Sequence, residues 1–390
     1  MTKDRLLQAL LYLPMLLLAL TGILSPYKYN LLPSSAILEL AFFLMACLMA
    51  GELLRSASVF LYGTAAYVAI SAIWSIGFRD IHALDFLLAY KAFLYVCILC
   101  FFMGKRFCSR ESLIAFYWAM LGAFAIKYGY SILLGLDAKM RSRPGLFVEN
   151  NFELVFIILL FYRLRHSFKN SFVAFIPLFA IVFLSGSRSA ILAVGAVYAF
   201  TFIREWNVRT VAALVATFAI AAVGYELFLS RTQDGFENID RFKFLMVFLH
   251  EMQSHGMAGY VFGTPRITPL SAGSCDILSF YSGLFSFSDD STLCYSVILH
   301  SYILRVIFDH GLIGFVFLNV FLLYGVRKAN GDLRDFLCVA LVLIFSGLSV
   351  SSFNSIFSAL AVALLFTRFS DDENEEQNGN SYEPVKNINF

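Results

Sequence analysis

Charge is what this chain has least of. Only 14% of its 390 residues are Asp, Glu, Lys or Arg, against roughly 25% in a typical soluble protein, and that depletion excludes a soluble enzyme. A net charge of +2 leaves no basic face for a polyanion, which excludes a nucleic-acid binder. Seven cysteines spread over such a length do not make a secreted disulfide scaffold. No fixed-period repeat is visible, nor a pair of Pro/Gly-broken helices of the transporter kind. Lys3 and Arg5 precede the first apolar run, but no small-x-small cleavage site follows it, so that run is expected to stay as a signal anchor. What is abundant is apolar surface: 59% of residues, 43 of them Phe, with a mean hydropathy of +0.75. The composition is that of an all-α polytopic membrane protein.

A helix crosses a hydrocarbon core with about 20 apolar residues. Twelve candidate runs can be marked: Leu6–Leu24, Ala36–Leu54, Ala57–Phe78, Leu84–Met103, Ser112–Leu134, Asn150–Tyr162, Ser171–Ser187, Ser189–Ile203, Val208–Ser230, Tyr302–Val326, Asp335–Val350 and Ser351–Phe366. The chain thus divides into helices 1–9 over residues 1–230, a long loop at 231–300, helices 10–12 over 301–369, and an acidic tail at 370–390 expected to be disordered. Lys and Arg collect on cytoplasmic loops. With the amino terminus inside, the inner segments hold fifteen and the short outer loops six. Both termini are therefore expected in the cytoplasm and the long loop outside.

The cysteines sort by the same geography. Cys97-x-x-Cys100 lies within an apolar run without further ligands and reads as packing. Cys275 and Cys294 are the two cysteines of the external loop, where oxidation is permitted, and are expected to bridge. Charge inside a span is expensive and marks function or snorkelling. Lys91 and Lys127 each lie seven residues below the outer end of a run, about 10 Å deep at 1.5 Å per residue. Glu153 opens the sixth run, Arg305 lies just inside the tenth, and Arg188 occupies the outer turn between the seventh and eighth. All five belong to the outer leaflet, and a shared cavity there with excess positive charge would suit an anionic lipid head group.

Three external stretches carry the chemistry. Ser185-Gly-Ser-Arg188-Ser-Ala190 is a tight polar turn presenting a guanidinium that can fork two phosphate oxygens. Asp240-Arg241-Phe242 to His255-Gly256 reads as an interfacial helix, with Asp240 as N-cap and Gly256 just past its end. The turn Gly259-Tyr-Val-Phe-Gly263-Thr-Pro-Arg266 follows and aims Arg266 back toward the helices. His300-Ser-Tyr-Ile-Leu-Arg305 begins the re-entry into the membrane and continues to Asp309-His310-Gly-Leu-Ile-Gly314; a neutral imidazole there can accept a proton. The aromatics Phe280, Tyr281, Phe285, Phe287 and Tyr295 could stack on sugar faces or form an ordinary interfacial belt.

From Arg143 to Gly314, these stretches in this order, with Arg143, Gly145 and Asn151 ahead of the Ser-Arg turn, resemble the O-antigen ligase and polysaccharide polymerase superfamily of membrane glycosyltransferases. Asp309 stands where relatives often have Glu, and Glu149-Asn150-Asn151 where Asn-Pro-Asn is common. The resemblance implies an enzyme that performs inverting, metal-independent and cofactor-free glycosyl transfer. The donor is an undecaprenyl-pyrophosphate-linked oligosaccharide at the periplasmic face of the bacterial inner membrane. It makes His300 the catalytic base and gives the pyrophosphate to Arg188 and Arg266, whose fixed positive charge answers the charge developing on the leaving group. Lys91, Lys127, Arg143, Arg241 and Arg305 are candidate supporting cations, and no metal-ligand cluster is apparent. A polymerase joining lipid-linked repeat units is the favoured reading, because Lys139, Arg141 and Arg143 could hold a second anionic lipid glycan. The alternatives are a ligase passing the glycan to lipid A-core and, from another class, a non-enzymatic transporter or flippase of lipid-linked sugars, which would need polar groups through the full membrane depth. Membrane lipid is an expected partner, a chain-length regulator protein a candidate one, and nucleic acid none.

Overall fold

Long runs of Leu, Phe, Ala and Met satisfy their backbone polar groups locally, and the apolar runs become helices. The computed structural model describes residues 3–25, 27, 29–133, 145–203, 240–288, 293–349 and 352–371. The first half comprises α1 (Lys3–Leu24), α2 (Ser34–Met49, prolonged by a 3-10 turn, Ala50–Glu52), α3 (Arg55–Ala72, prolonged by a π turn, Ile73–Phe78), α4 (Ala83–Leu99) and α5 (Arg110–Leu133). Next come α6 (Asn150–Leu164), α7 (Ser171–Leu184) and α8 (Arg188–Phe202). The remainder holds α9 (Asp240–Phe262), α10 (Ala272–Ile277), α11 (Tyr302–Lys328), α12 (Leu333–Gly347) and α13 (Ile356–Phe366). The expected ninth run, Val208–Ser230, and nearly all of the acidic tail lie outside the described residues.

Polar residues set the helix starts. Asn170 Oδ1 accepts from the amides of Phe172 and Val173 to open α7, and Asp332 and Asp335 form a reciprocal capping box on α12. Among the described residues, five helices are long and apolar enough to cross a membrane: α1, α2 with its 3-10 turn, α3 with its π turn, α5 and α11. The runs that became α6 and α13 fold differently. At 15 and 11 residues these helices are short, and they are buried almost all round at the centre of the main core, the placement expected of a helix with no polar face.

The start of α1 and the last described residues share one end of the molecule. Lys3 and Lys105 both pair with Glu52, and a short parallel ladder joins β1 (Arg106–Cys108) to β2 (Arg368–Phe369). The ladder was not apparent from the sequence, because runs of three and two residues carry no strand signal. At the opposite end, α11 begins against the end of α12, with the Tyr302 amide donating to Ser349 O over 3.0 Å.

Two glycines there change what the apolar pattern predicts. The run Tyr302–Val326 reads as one span, but α11 breaks at Gly311, where φ is 68°. A Cβ on Gly311 would stand 2.2 Å from Val261 O, and one on Gly263 (φ 84°) would stand 2.8 Å from the backbone of Asp309. The two chains cross where neither has a side chain, and Thr264 N donates to Phe308 O at 2.7 Å beside the crossing. In α9 the expected end at Gly256 is a kink with φ 59°, after which the helix resumes to Phe262. One face of α9 (Phe244, Val247, Phe248, Met252) builds a second small core with Leu270, Leu278, Ile298 and Phe308. The other face leaves Phe242, Leu245, Met246 and Leu249 exposed, as a helix lying in a membrane interface would.

Candidate functional site

The first half of α11 lies against α4 and forms a wall. Arg305 donates through Nη2 to Leu88 O, and one turn further on His310 Nε2 meets Ala89 O at 3.2 Å. Because a carbonyl only accepts, Nε2 carries the His310 proton; Nδ1 then accepts from the Tyr67 hydroxyl at 2.8 Å. A cavity opens on each side of this wall.

The first cavity, about 300 Å³, is lined by Lys91 of α4, Phe152 of α6, Ser286 and Phe287, His300, Tyr302 and Arg305, and Asn354 before α13. Its loop wall is fastened by Asp85 at the start of α4. The buried Asp85 carboxylate accepts from Ser286 Oγ at 2.6 Å and from the Phe287 amide at 3.2 Å. The His300 ring packs at 4.9 Å from Tyr281 and 5.6 Å from Phe244. Lys91 is answered by Glu39 at 2.5 Å, and Glu39 also accepts from Tyr95. The second cavity, about 330 Å³, is mostly apolar and lies between α3, α4 and α11; Thr64, Tyr67, Phe93, Phe262, Arg266 and His310 are among its walls. The Arg266 guanidinium lies 4.8 Å from the centroid of the Tyr67 ring, and the Arg266 carbonyl accepts from Arg79.

The structure therefore brings together His300, Lys91 and Arg305 and places Arg266 across the wall from them. Arg188, half-buried at the head of α8, is not among the residues that line either cavity. It follows the turn whose Ser187 Oγ donates to Asn151 Oδ1 at 2.6 Å, and the next residue, Phe152, lines the cavity. Asn150 Nδ2 donates to Ser185 O at 2.9 Å, so the Glu-Asn-Asn stretch holds the Ser-Gly-Ser-Arg turn from both ends. Arg241 is exposed on the first turn of α9, and Arg143 lies outside the described residues.

Three of the five outer-leaflet charges, Arg188, Lys127 and Glu153, lie outside the lining of the expected shared cavity. Lys127 is fully buried, and its ammonium donates to Ser25 O (2.9 Å), Tyr27 O (3.0 Å) and Tyr130 Oη (2.8 Å). Two of its protons go to carbonyls that follow α1 and the third to the Tyr130 hydroxyl, so all three are engaged outside the His300 cavity. Glu153 likewise accepts from the amides of Leu146, Phe147 and Val148 at 2.7–3.1 Å. Where water is scarce, a backbone stretch that leaves a helix needs such partners, and a buried charge supplies the strongest.

In the loop after α9, Cys275 and Cys294 form a disulfide. Beside it Glu251 accepts from Ser271 Oγ and Ser274 Oγ, each at 2.5 Å, and from the Ser271 amide at 3.1 Å. Burial alone would raise its pKa, but these donors outweigh it, His250 adds to their effect, and the carboxyl lies below its ordinary range. Of the aromatics, Phe287 lines the His300 cavity, Phe280 is 88% exposed, and Phe285 and Tyr295 are buried. Sequence reasoning missed Tyr302, Asn354, Asp85 and the His310–Tyr67 pair. The one available signal was polarity just ahead of an apolar run, and Ser and Asn there read equally well as caps. Among the described residues, no three or more of His, Cys, Asp and Glu come together as a metal site.

The helices and their apolar faces point to a multi-pass membrane protein. No protein-family model matches the chain, and no curated protein matches it.

Proposed function

We propose that the chain is a polysaccharide polymerase of the bacterial inner membrane. It would have about twelve spans and cytoplasmic termini, and join undecaprenyl-pyrophosphate-linked repeat units at the periplasmic face. The observation that carries this reading is the cavity in which one imidazole, His300, shares walls with two cations, Lys91 and Arg305, next to a disulfide-closed loop of the kind an oxidising compartment permits.

The chemistry fits those residue types. A sugar hydroxyl attacks C1 of the donor as its proton passes to His300; the C1–O bond breaks, and the electron pair leaves on the pyrophosphate. A hydroxyl is a poor nucleophile until a base takes its proton. The departing diphosphate gains charge, which fixed cations stabilise more in the transition state than in the ground state. Arg305 and Lys91 stand closest to that task, and Arg188, beyond the turn held by Asn150 and Asn151, is a further candidate. Arg266 sits at an apolar cavity on the other side of the wall, and an isoprenoid chain is the part of the donor suited to that cavity.

A deletion strain examined by lipopolysaccharide gel tests the reading. A single repeat unit on core is the expected result, with ladders restored by the wild-type gene and not by His300→Ala. Unmodified core with intact lipid-linked polymer would instead assign a ligase. Normal ladders in the deletion strain would end both.

A further inference from the structure

Two residues that line the His300 cavity each carry a polar atom with no hydrogen-bond partner among the described residues. Tyr302 is 4% exposed, and its hydroxyl has no hydrogen-bond partner among the described residues. Asn354 Oδ1, also shut away from the surface, has none there either. The two residues come from different elements, the first residue of α11 and the turn before α13, yet they line one cavity. Native proteins seldom bury a hydroxyl or amide oxygen unpaired. Other buried polar atoms also lack partners among the described residues, Thr64 Oγ1 and Ser355 Oγ among them, but Tyr302 and Asn354 are two such residues on the walls of one cavity.

The chemistry of the pair selects the ligand. An amide oxygen only accepts, and a phenol donates or accepts. Phosphate or carboxylate oxygens would not serve Asn354 Oδ1, because they offer it no proton. A saccharide hydroxyl both donates and accepts, so one hydroxyl can give its proton to Asn354 Oδ1 while a neighbour accepts from Tyr302 Oη. Phe152 and Phe287 on the same walls offer apolar faces to a sugar ring. About 300 Å³ falls at the small-ligand end of the range for binding cavities.

We propose that Tyr302 and Asn354 form a saccharide subsite that reads the ring hydroxyls of the acceptor glycan and holds them in the cavity of His300. The assignment of the saccharide as acceptor rests on the glycosyl-transfer reading; the binding of a sugar there does not. The test uses the full chain, purified in detergent. The probe is the oligosaccharide released by mild acid from the lipid-linked glycans of cells lacking this protein, titrated by saturation-transfer NMR. Wild-type protein binds it; Tyr302→Phe and Asn354→Leu each weaken binding about tenfold, the effect of one lost hydrogen bond in a buried site. Tyr62→Phe, an exposed position on α3, leaves binding unchanged. Melting temperatures within about two degrees of wild type separate lost binding from lost folding, and Asn354→Leu carries the test if the Phe variant does not insert. Wild-type affinity in both variants, or no binding by the wild-type protein, overturns the subsite. Binding that is lost as expected in a protein that extends no polymer would keep the subsite and end the polymerase reading. Polymer made normally with variants that bind like wild type would do the reverse.

Discussion

The two cavities that flank the α4–α11 wall have similar volumes and opposite chemistry. On one side His310 is complete: one nitrogen meets Ala89 O and the other Tyr67, and three aromatic rings surround it. On the other side stand His300, Arg305 and Lys91, with Tyr302 and Asn354 on the same walls. Both histidines sit within ten residues of each other at the head of one helix. The two lysines divide by place: Lys127 spends its protons on two carbonyls and a hydroxyl, whereas Lys91, paired with Glu39, lines the cavity.

The wall itself is the most sensitive place to break this comparison. Gly311→Val would put a β-branched side chain at φ 68° and within 2.2 Å of Val261 O. A loss of 3 kcal/mol or more is expected, about enough to abolish folding, read as absent protein in the membrane fraction. Lys127→Met sharpens the lysine contrast. It leaves Tyr27 O without its donor, at about 1–3 kcal/mol, and Ser25 O with the Tyr130 hydroxyl alone, and lowers the melting temperature, while on the glycosyl-transfer reading the folded fraction still makes polymer. Lys91→Met should do the opposite: small change in melting, clear loss of polymer.

The two histidines give a cleaner division. His310→Ala removes two hydrogen bonds and a packed ring, so melting falls by roughly 2–3 kcal/mol of stability and ladders persist from protein that folds. His300→Ala, at a half-buried ring packed on Tyr281 and Phe244, lowers melting less and, on the glycosyl-transfer reading, abolishes ladders. Equal effects of the two substitutions on both readouts would dissolve the distinction drawn between the cavities. The smallest effect belongs to Glu251. Its carboxyl is held below its ordinary range, so its stabilisation of the loop is full at neutral pH and is lost as pH falls through the lowered value. Hydrogen exchange of residues 270–275 should therefore stay slow at pH 6 and accelerate only in stronger acid, and Glu251→Gln should flatten that dependence.

Much of this was legible in the chain. Leu6–Leu24, Ser112–Leu134 and Asn150–Tyr162 fall close to α1, α5 and α6, because unbroken apolar runs leave the backbone few choices but helix. Gly256 was legible as a break, read as the end of a helix, but its φ of 59° makes a kink after which the helix resumes. The break at Gly311 was not, because the run around it is apolar on both sides and only the crossing with Gly263 requires it. Lys127 and Lys91 show the same limit at the site: at equal depth in similar helices, they are indistinguishable until Ser25, Tyr27 and Tyr130 are seen around one and Glu39 beside the other.

The sequence by itself determined that this chain is helical and suited to a membrane, and it supplied a histidine and several cations near one end. Hydropathy is a sum over neighbouring residues, so it can be read along the chain. The tertiary structure alone decided which of those groups share a cavity and which are used up on backbone carbonyls and amides. A hydrogen bond is a short, directional meeting between residues as far apart as Lys127 and Ser25 or Tyr67 and His310, and no local pattern records it.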